Sequence, residues 1–346
     1  MKNKTNLVGL TLAECEAFAE KIGEKKYRGR QLYKWIYVKK TAFFDEMTDL
    51  PALLRDKLAE TARIGFLEIA DVDDRSLSGS VKYLFKLPDN FFIESVYIPD
   101  VSRKTLCISS QVGCALNCRF CATAKLGLKR HLSTGEIVDQ VLTIMRMRDE
   151  EISNIVFMGM GEPFANYENV IKAATLLSDD NGLAIGARRI VISTAGIADK
   201  IIRYADEGHK FRLAISLNSP FQEQRSQLMP ISRRWDVNNV LAAVKYYAKK
   251  SRKIPTLEYV LLDGLNDTKE HATALKKIVK SMPCKVNLIP YNPTGDNFSR
   301  PGAAQVNQFA QWLLPLNAGL SVRWSKGDDS NAACGQLAGK KQEWVR

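Results

Sequence analysis

Ser133-Thr134-Gly135-Glu136-Ile137-Val138-Asp139-Gln140-Val141-Leu142-Thr143-Ile144 stands between two β-rich runs, 104–109 and 153–158, and this strand–helix–strand pattern sets the class of fold. Ser133 and Glu136 have the spacing of a capping box, and Ile137, Val138, Val141, Leu142 and Ile144 continue at helical spacing toward 149. Working outward, further β-rich runs fall at 81–87, 91–98, 188–193, 211–217, 255–262, 284–290 and 320–324. From 104 on, helical patterns separate them, at 133–149 and at about 166–178, 236–250, 267–281 and 303–317. Such alternation predicts an α/β chain whose parallel sheet has covered faces, either an open doubly wound sheet or a closed or partial barrel. Periodicity does not separate these.

The first eighty residues differ. Within 21–40, Lys21, Lys25, Lys26, Arg28, Arg30, Lys34, Lys39 and Lys40 face one acid, Glu24, with Tyr27, Tyr33, Trp35 and Tyr37 interleaved. This suits an RNA backbone; a small helical bundle with Leu32, Trp35 and Ile36 as its core stripe and solvated lysines outside explains the charge run equally. A second helix is signalled from Pro51 to about Ala62, and 71–80 is polar with no apolar period. The expected division is therefore 1–80, a helical, basic accessory domain, and 81–346, the catalytic or binding core.

A chain of 346 residues fits one large domain plus a smaller one. Fifty Lys and Arg against 38 Asp and Glu give a net charge of +12, which attracts polyanions and makes nucleic acid the leading partner, although solubility also accounts for a basic surface. No apolar run is long enough to span a bilayer, and Glu14, Glu16 and Glu20 break the segment where a leader would carry its apolar stretch, so a cytoplasmic chain is expected. Cysteines occur at 15, 107, 114, 118, 121, 284 and 334, dense only between 107 and 121. In a reducing compartment such a cluster reads as a metal site or as catalytic thiols.

Gly113-Cys114-Ala115-Leu116-Asn117-Cys118-Arg119-Phe120-Cys121 is a C-x3-C-x2-C loop just beyond the run 104–109. Tetrahedral zinc would need a fourth ligand, for which His131, Cys107 and Cys334 are candidates. A [4Fe–4S] cluster on three cysteines instead leaves one iron for an external amino-carboxylate chelate. A zinc-bearing, non-catalytic RNA-binding protein is therefore the reading that competes with an iron–sulfur enzyme.

The cysteine triple with Phe120 as its aromatic, Gly159-Met160-Gly161-Glu162-Pro163, Asn287-Leu288-Ile289-Pro290-Tyr291-Asn292-Pro293 and Ser330-Asn331-Ala332-Ala333-Cys334-Gly335-Gln336-Leu337 together resemble the RlmN/Cfr family of radical S-adenosylmethionine RNA methyltransferases, from about residue 20 to 340. The resemblance implies a partial (β/α)6 TIM-type barrel and two cofactors, a [4Fe–4S] cluster on Cys114, Cys118 and Cys121 and S-adenosylmethionine held by Gly161, Glu162, Ser193, Ser216, Leu217, Asn218 and Asn292. It further implies methylation of adenine C2 in 23S rRNA and tRNA, in which Cys334 carries the methyl group, Glu94 removes the C2 proton and Cys107 forms a transient disulfide that frees the product. A monomer served by an electron donor such as flavodoxin completes the expectation. Pro163 favours the C2 branch over the C8-methylating, antibiotic-resistance branch, whereas Lys326 and Asn331 stand where the C2 branch usually carries Arg and Asp.

Several of these residues also have a reading of their own. Glu162, Ser193, Ser216–Asn218, Asn292 and Cys334 each fall at or beyond the C-terminal end of a predicted strand, where parallel α/β folds gather ligands, although any one alone would be an ordinary polar loop residue. Gly159 and Gly161 would let the backbone approach a ligand. Strand alternation puts Glu94 with Phe92, Val96 and Ile98, where apolar neighbours would raise its pKa; an Arg partner on the next strand is the plainer expectation. Cys15 and Cys284 read as packing residues, Lys129 and Arg130 as phosphate contacts, and the tail 340–346 as an optional RNA contact.

Overall fold

The structure, a computed structural model, describes residues 4–65, 67–316 and 319–337; the tail 340–346 lies outside them. A helical N-terminal unit comes first. Strand β1 (Thr5–Asn6) leads into α1 (Leu12–Lys21), α2 (Lys26–Tyr37) and α3 (Ala52–Thr61), and β2 (Ala62–Arg63) returns to pair in parallel with β1. On α2, Leu32, Tyr33, Ile36 and Tyr37 are buried, while Trp35, expected in the core stripe, is half-buried and donates its indole N–H to Asp49 at 2.6 Å. The two tyrosines can take the core face because their hydroxyls find partners, Tyr33 on Asp179 at 2.7 Å and Tyr37 on the Leu10 carbonyl at 2.9 Å. Of the four aromatics read as interleaving with the lysines, Tyr27 alone stays largely exposed.

Strands β3 (Glu68–Asp73), β4 (Val81–Lys86) and β5 (Phe92–Pro99) form an antiparallel extension to β6 (Lys104–Cys107). Residues 68–73 thus belong with the sheet and not with the helices that precede them, a correction to the expected boundary at 80. Their acids Glu68, Asp71 and Asp73 hide the strand from composition, yet charge is what a sheet's last strand carries. A short ribbon of β7 (Gln111–Val112) and β8 (Arg130–His131) brackets the cysteine loop.

From β6 on, each strand is followed by helix. The series is α4 (Thr134–Arg148), β9 (Asn154–Phe157), α5 (Tyr167–Leu177), β10 (Ile190–Thr194), α6 (Ala198–Asp206), β11 (Arg212–Ser216), α7 (Gln222–Leu228), α8 (Val237–Ser251), β12 (Thr256–Leu261), α9 (Lys269–Lys280), β13 (Lys285–Pro290), α10 (Ala303–Leu313) and β14 (Leu320–Val322). The ten-stranded sheet runs β14-β13-β12-β11-β10-β9-β6-β5-β4-β3, and the seven strands from β14 to β6 are parallel. The order never reverses. Right-handed crossovers taken in one direction put all the helices on one face, so the sheet curls around the other and the structure is a partial barrel rather than a doubly wound sheet. Six strand–helix units, β6 to β13, give the (β/α)6 count. Among the described residues no helix is long and apolar enough to cross a membrane.

Register defines the inner face. Cys107 pairs with Val96 and Val156, Ser193 with Ala214, Ser216 with Glu258, Glu258 with Asn287, and Asn287 with Ser321. Cross-strand partners share a face, so this row of polar residues looks into the barrel. The expected Ser133 capping box is present: its hydroxyl accepts from Glu136 N at 3.3 Å and Glu136 accepts from Ser133 N at 2.8 Å.

Candidate active site

A cleft opens at the C-terminal ends of the parallel strands, where folds of this kind bind their ligands. Cys114, Cys118 and Cys121 line it together with Gly161, Glu162, Ser193, Ser216, Asn218, Asn292 and Cys334. Nine of the ten residues expected to hold the cluster and S-adenosylmethionine therefore meet in one place. The tenth, Leu217, is fully buried outside the lining; its N–H donates to the Glu258 carbonyl at 2.9 Å and its own carbonyl accepts from Arg225.

Burial pushes the Cys114 thiol up to about 12 and raises Cys118 and Cys121 as well, with their mutual repulsion adding to the effect at Cys118. Metal binding must then displace protons from these thiols. Among the described residues no three His, Cys, Asp or Glu groups are gathered as one metal ion would need. A three-cysteine cluster seats each thiolate on a separate iron, whereas tetrahedral zinc needs a fourth protein ligand. Of the candidate fourth zinc ligands, His131 is engaged with Gln111 at 2.9 Å in the β7–β8 ribbon, Cys107 lies outside the cleft lining, and Cys334 lines the cleft with the three cysteines. The donors present, three thiols of one loop among the polar groups of the cleft, are those that a three-cysteine cluster would need.

Glu162 is buried, which raises its pKa against the opposing pull of Ala195 N, Thr194 and Phe164 N. Its oxygens accept from Ala195 N at 2.8 Å and Phe164 N at 3.0 Å, and its own N–H donates to Gln111 at 2.7 Å. Gly159 and Gly161 both line the cleft, and the fold constrains them from the other side as well. A Cβ on Gly161, at φ +100, would lie 2.5 Å from the Gln111 Cβ, and one on Gly159 would lie 2.7 Å from the Ile108 carbonyl. Their close approach is to the β6–β7 segment of the protein itself, and it fixes the loop that presents Glu162.

Cys334 is half-buried and lines a second, narrow cavity as well, shared with Cys107, Arg323, Ser325 and Met158. Its loop is tied down. Asn292 Nδ2 donates to the Cys334 carbonyl at 3.1 Å, Ala122 N to the Gly335 carbonyl at 2.7 Å, and Thr123 to the Leu337 carbonyl. The carbonyl at 335 thus meets the cysteine loop directly. Cys107 is buried, and burial followed by the charge of Cys334 pushes its thiol up to about 12. All seven cysteines are free thiols, so no disulfide joins Cys107 to Cys334 here.

Glu94 is buried on the inner face two residues from Val96, the partner of Cys107. Its neighbours are not purely apolar: Lys82 Nζ lies 4.0 Å from Oε1, and Asp71, Asp73 and Asn331 line the adjoining pocket. The facing cation is a lysine on β4, which also donates to the carbonyls of Ser330 and Asn331 at 3.2 Å each. Arg130, expected at phosphate, is committed internally to Glu136 at 2.7 Å and to Asp89; Lys129 is exposed. Lys326 donates to the Pro99 carbonyl at 2.7 Å, and Asn331 takes a left-handed φ of 51. Arg225, which sequence reasoning does not single out, holds the β10 and β11 ends from behind the cleft. Cys15 and Cys284 pack in the core as expected.

Residues 108–275 match the family model of the radical SAM superfamily, and residues 5–64 match the ribosomal RNA large subunit methyltransferase N-terminal domain. The probable dual-specificity RNA methyltransferase RlmN of Thermoanaerobacter sp. (strain X514) is 44% identical, covering 97% of this chain and 98% of the relative. That of Pelobacter propionicus is 44% identical over 98% of this chain and 97% of its own. The crystal structure of a radical SAM methyltransferase from Sphaerobacter thermophilus superposes with a TM-score of 0.92 at 40% identity, covering 96% of this chain and 99% of that one.

Proposed function

Because the chain belongs to the RlmN family of radical S-adenosylmethionine RNA methyltransferases, we propose that Cys334 is its methyl carrier and that the residues gathered around the cleft act in sequence on an adenine C2. The protein is an enzyme of RNA methylation whose cofactors are a [4Fe–4S] cluster and S-adenosylmethionine. The observation that carries the assignment is the double exposure of Cys334, to the cleft that holds Cys114, Cys118, Cys121 and Glu162 and to the narrow cavity that holds Cys107.

Adenine C2 is an electrophilic carbon, so a methyl cation cannot be delivered to it directly. When bound, the cluster and S-adenosylmethionine together supply a 5′-deoxyadenosyl radical that abstracts hydrogen. Cys114, Cys118 and Cys121 hold the cluster; Gly161, Glu162, Ser193, Ser216, Asn218 and Asn292 line the site of S-adenosylmethionine, with Leu217 contributing through the backbone of the β11 end. The Cys334 sulfur would accept a methyl group from one S-adenosylmethionine; that methyl would lose a hydrogen atom, its carbon would add to C2 as a radical, and the adduct would regain aromaticity by giving up one electron together with the C2 proton. The Glu94 carboxylate takes the C2 proton, a role its buried place on the inner face beside Lys82 supports. The Cys107 thiolate then attacks the Cys334 sulfur: the S–S bond forms as the S–CH2 bond breaks, the methylene carbon leaves with the electron pair and takes a proton to become the methyl group, and two electrons from the donor return the disulfide to thiols. The substrates in this reading are 23S rRNA at its peptidyl-transferase adenosine and tRNA at the adenosine 3′ of the anticodon, met by a cytoplasmic monomer that takes electrons from a flavodoxin-type donor.

Cys334→Ala tests the carrier. The variant is expected to retain iron and to cleave S-adenosylmethionine while forming no 2-methyladenosine, read by mass spectrometry of digested RNA. Full methylation by it removes Cys334 from the mechanism, and 8-methyladenosine from the native enzyme moves the chain to the C8 branch.

A further inference from the structure

Arg225 on α7 is fully buried. Its guanidinium reaches neutral acceptors only: Nε donates to the Leu217 carbonyl at 3.0 Å, Nη2 to the carbonyls of Ala195 at 2.6 Å and Ser216 at 3.1 Å, and Nη1 to the Ser232 hydroxyl. Among the described residues no carboxylate stands within ion-pair distance of it. Burial draws the guanidinium down to about 10, and the charge that acts against this is the Cys118 thiolate. A cation taken out of water without an anion is costly, and proteins ordinarily pair it with an acid.

Hydrogen bonding alone does not call for the charge. Elsewhere in this fold the same task, bridging two backbone carbonyls, is done by neutral amides. Asn166 Nδ2 joins the carbonyls of Ser110 and Leu132 at 2.9 and 2.7 Å, and Asn266 Nδ2 joins those of Asn218 and Val260 at 2.8 and 2.7 Å. What distinguishes Arg225 is its neighbourhood: its helix ends against the cysteine loop, where Arg119 N donates to the Leu228 carbonyl at 2.9 Å, and Ala195 links it to the buried Glu162 carboxylate. A single residue lies between the two buried groups, since Ala195 N donates to Glu162 at 2.8 Å while the Ala195 carbonyl accepts from Arg225 at 2.6 Å. A cluster held by three thiolates is a net anion, and the electron it takes up on reduction adds another negative charge.

We propose that Arg225 is the counter-charge of the metal centre, a positioning residue whose buried guanidinium favours the reduced, more anionic cluster and so sets the potential at which the site accepts its electron. This rests on Cys114, Cys118 and Cys121 being the cluster ligands, which iron content reads separately. Arg225→Met removes the charge, Arg225→Lys keeps it without the fork, and Ser232→Ala removes one bond of the fork and keeps the charge. Each is reconstituted anaerobically with iron and sulfide, assayed for iron and titrated potentiometrically by electron paramagnetic resonance. Arg225→Met is expected to lose about tenfold in the ratio of reduced to oxidised cluster at fixed potential, about 59 mV for a one-electron couple. Arg225→Lys and Ser232→Ala are expected to stay within about threefold of the native ratio. An unmoved midpoint in iron-replete Arg225→Met overturns the proposal, as does a tenfold shift in either charge-conserving variant; those two decide the matter if the methionine variant does not fold. A native protein that takes up no iron would instead sink the cluster reading beneath it.

Discussion

Gly161 shows how much of the site hangs on single positions. Its φ of +100 and the 2.5 Å gap to Gln111 leave no room for a side chain, so Gly161→Ala must both strain the backbone and push β7 aside. About 2–4 kcal/mol of stability is expected to go, read as a lowered melting temperature. S-adenosylmethionine affinity is expected to fall about tenfold or more, because the 2.7 Å bond from Glu162 N to Gln111 is the one displaced; an alanine variant with native affinity would show that the loop can hold Glu162 without it. At this scale the residues that gather around the cleft are legible in the sequence and their partners are not. The Gly-x-Gly before Glu162 announces a tight approach, but that its neighbour is Gln111, from the strand before the cysteine loop, depends on topology. Arg225 gives no signal at all, since an arginine on a seven-residue helix reads like any surface charge until the strand ends close over it. Alternation places Glu94 with Val96 on one face, yet the approach of Lys82, which pairs with Val96 and lies diagonal to Glu94, requires the β4–β5 register.

Among the elements, those with strong periodicity and caps are readable, and those that lean on neighbours are not. The Ser133 box that opens α4 is closed by Glu136, which Arg130 grips with both terminal nitrogens at 2.9 and 2.7 Å. Ser133→Ala is expected to cost about 1 kcal/mol in urea unfolding, the usual worth of such a cap. Helix α6, which the sequence pattern does not reveal, spans only Ala198–Asp206 and alternates ions with its apolar face; its C-cap residue is Glu207, which packing turns into a junction. Burial alone would raise Glu207, but the hydroxyl of Tyr167, then His209 and Arg203, hold it down to about 2. Against roughly 4.3 in the unfolded chain, this stability is complete above that value and is lost as pH falls toward 2. After discounting for its partial exposure, Glu207→Gln is expected to lose about 1–2 kcal/mol at pH 7 and clearly less at pH 3. An equal loss at both values would mean that the carboxylate's charge plays no part.

At the level of the whole molecule, strand order does what composition could not. Alternating strands and helices are common to doubly wound sheets and barrels, and the unreversed succession from β6 to β14 is what turns Cys107, Ser193, Ser216, Glu258 and Asn287 toward one interior. The net charge of +12 likewise says that a polyanion is attracted without saying where. On α2 the folded chain sorts the lysines. Lys26 and Arg30 are drawn to Glu16 at 3.3 and 2.6 Å, whereas Lys25 and Lys34 are exposed and have no acid partner among the described residues. If this helix meets the RNA backbone, the unpaired pair should carry the counterion release. Replacing both Lys25 and Lys34 by glutamine is then expected to flatten the slope of log affinity against log salt by about 0.7–0.9 for each phosphate no longer neutralised. Lys26→Gln should change it less, because its charge is already spent within the protein. Fluorescence anisotropy with a tRNA or a 23S rRNA fragment at several salt concentrations reads the difference, and equal slopes in all three proteins would move the RNA path off α2.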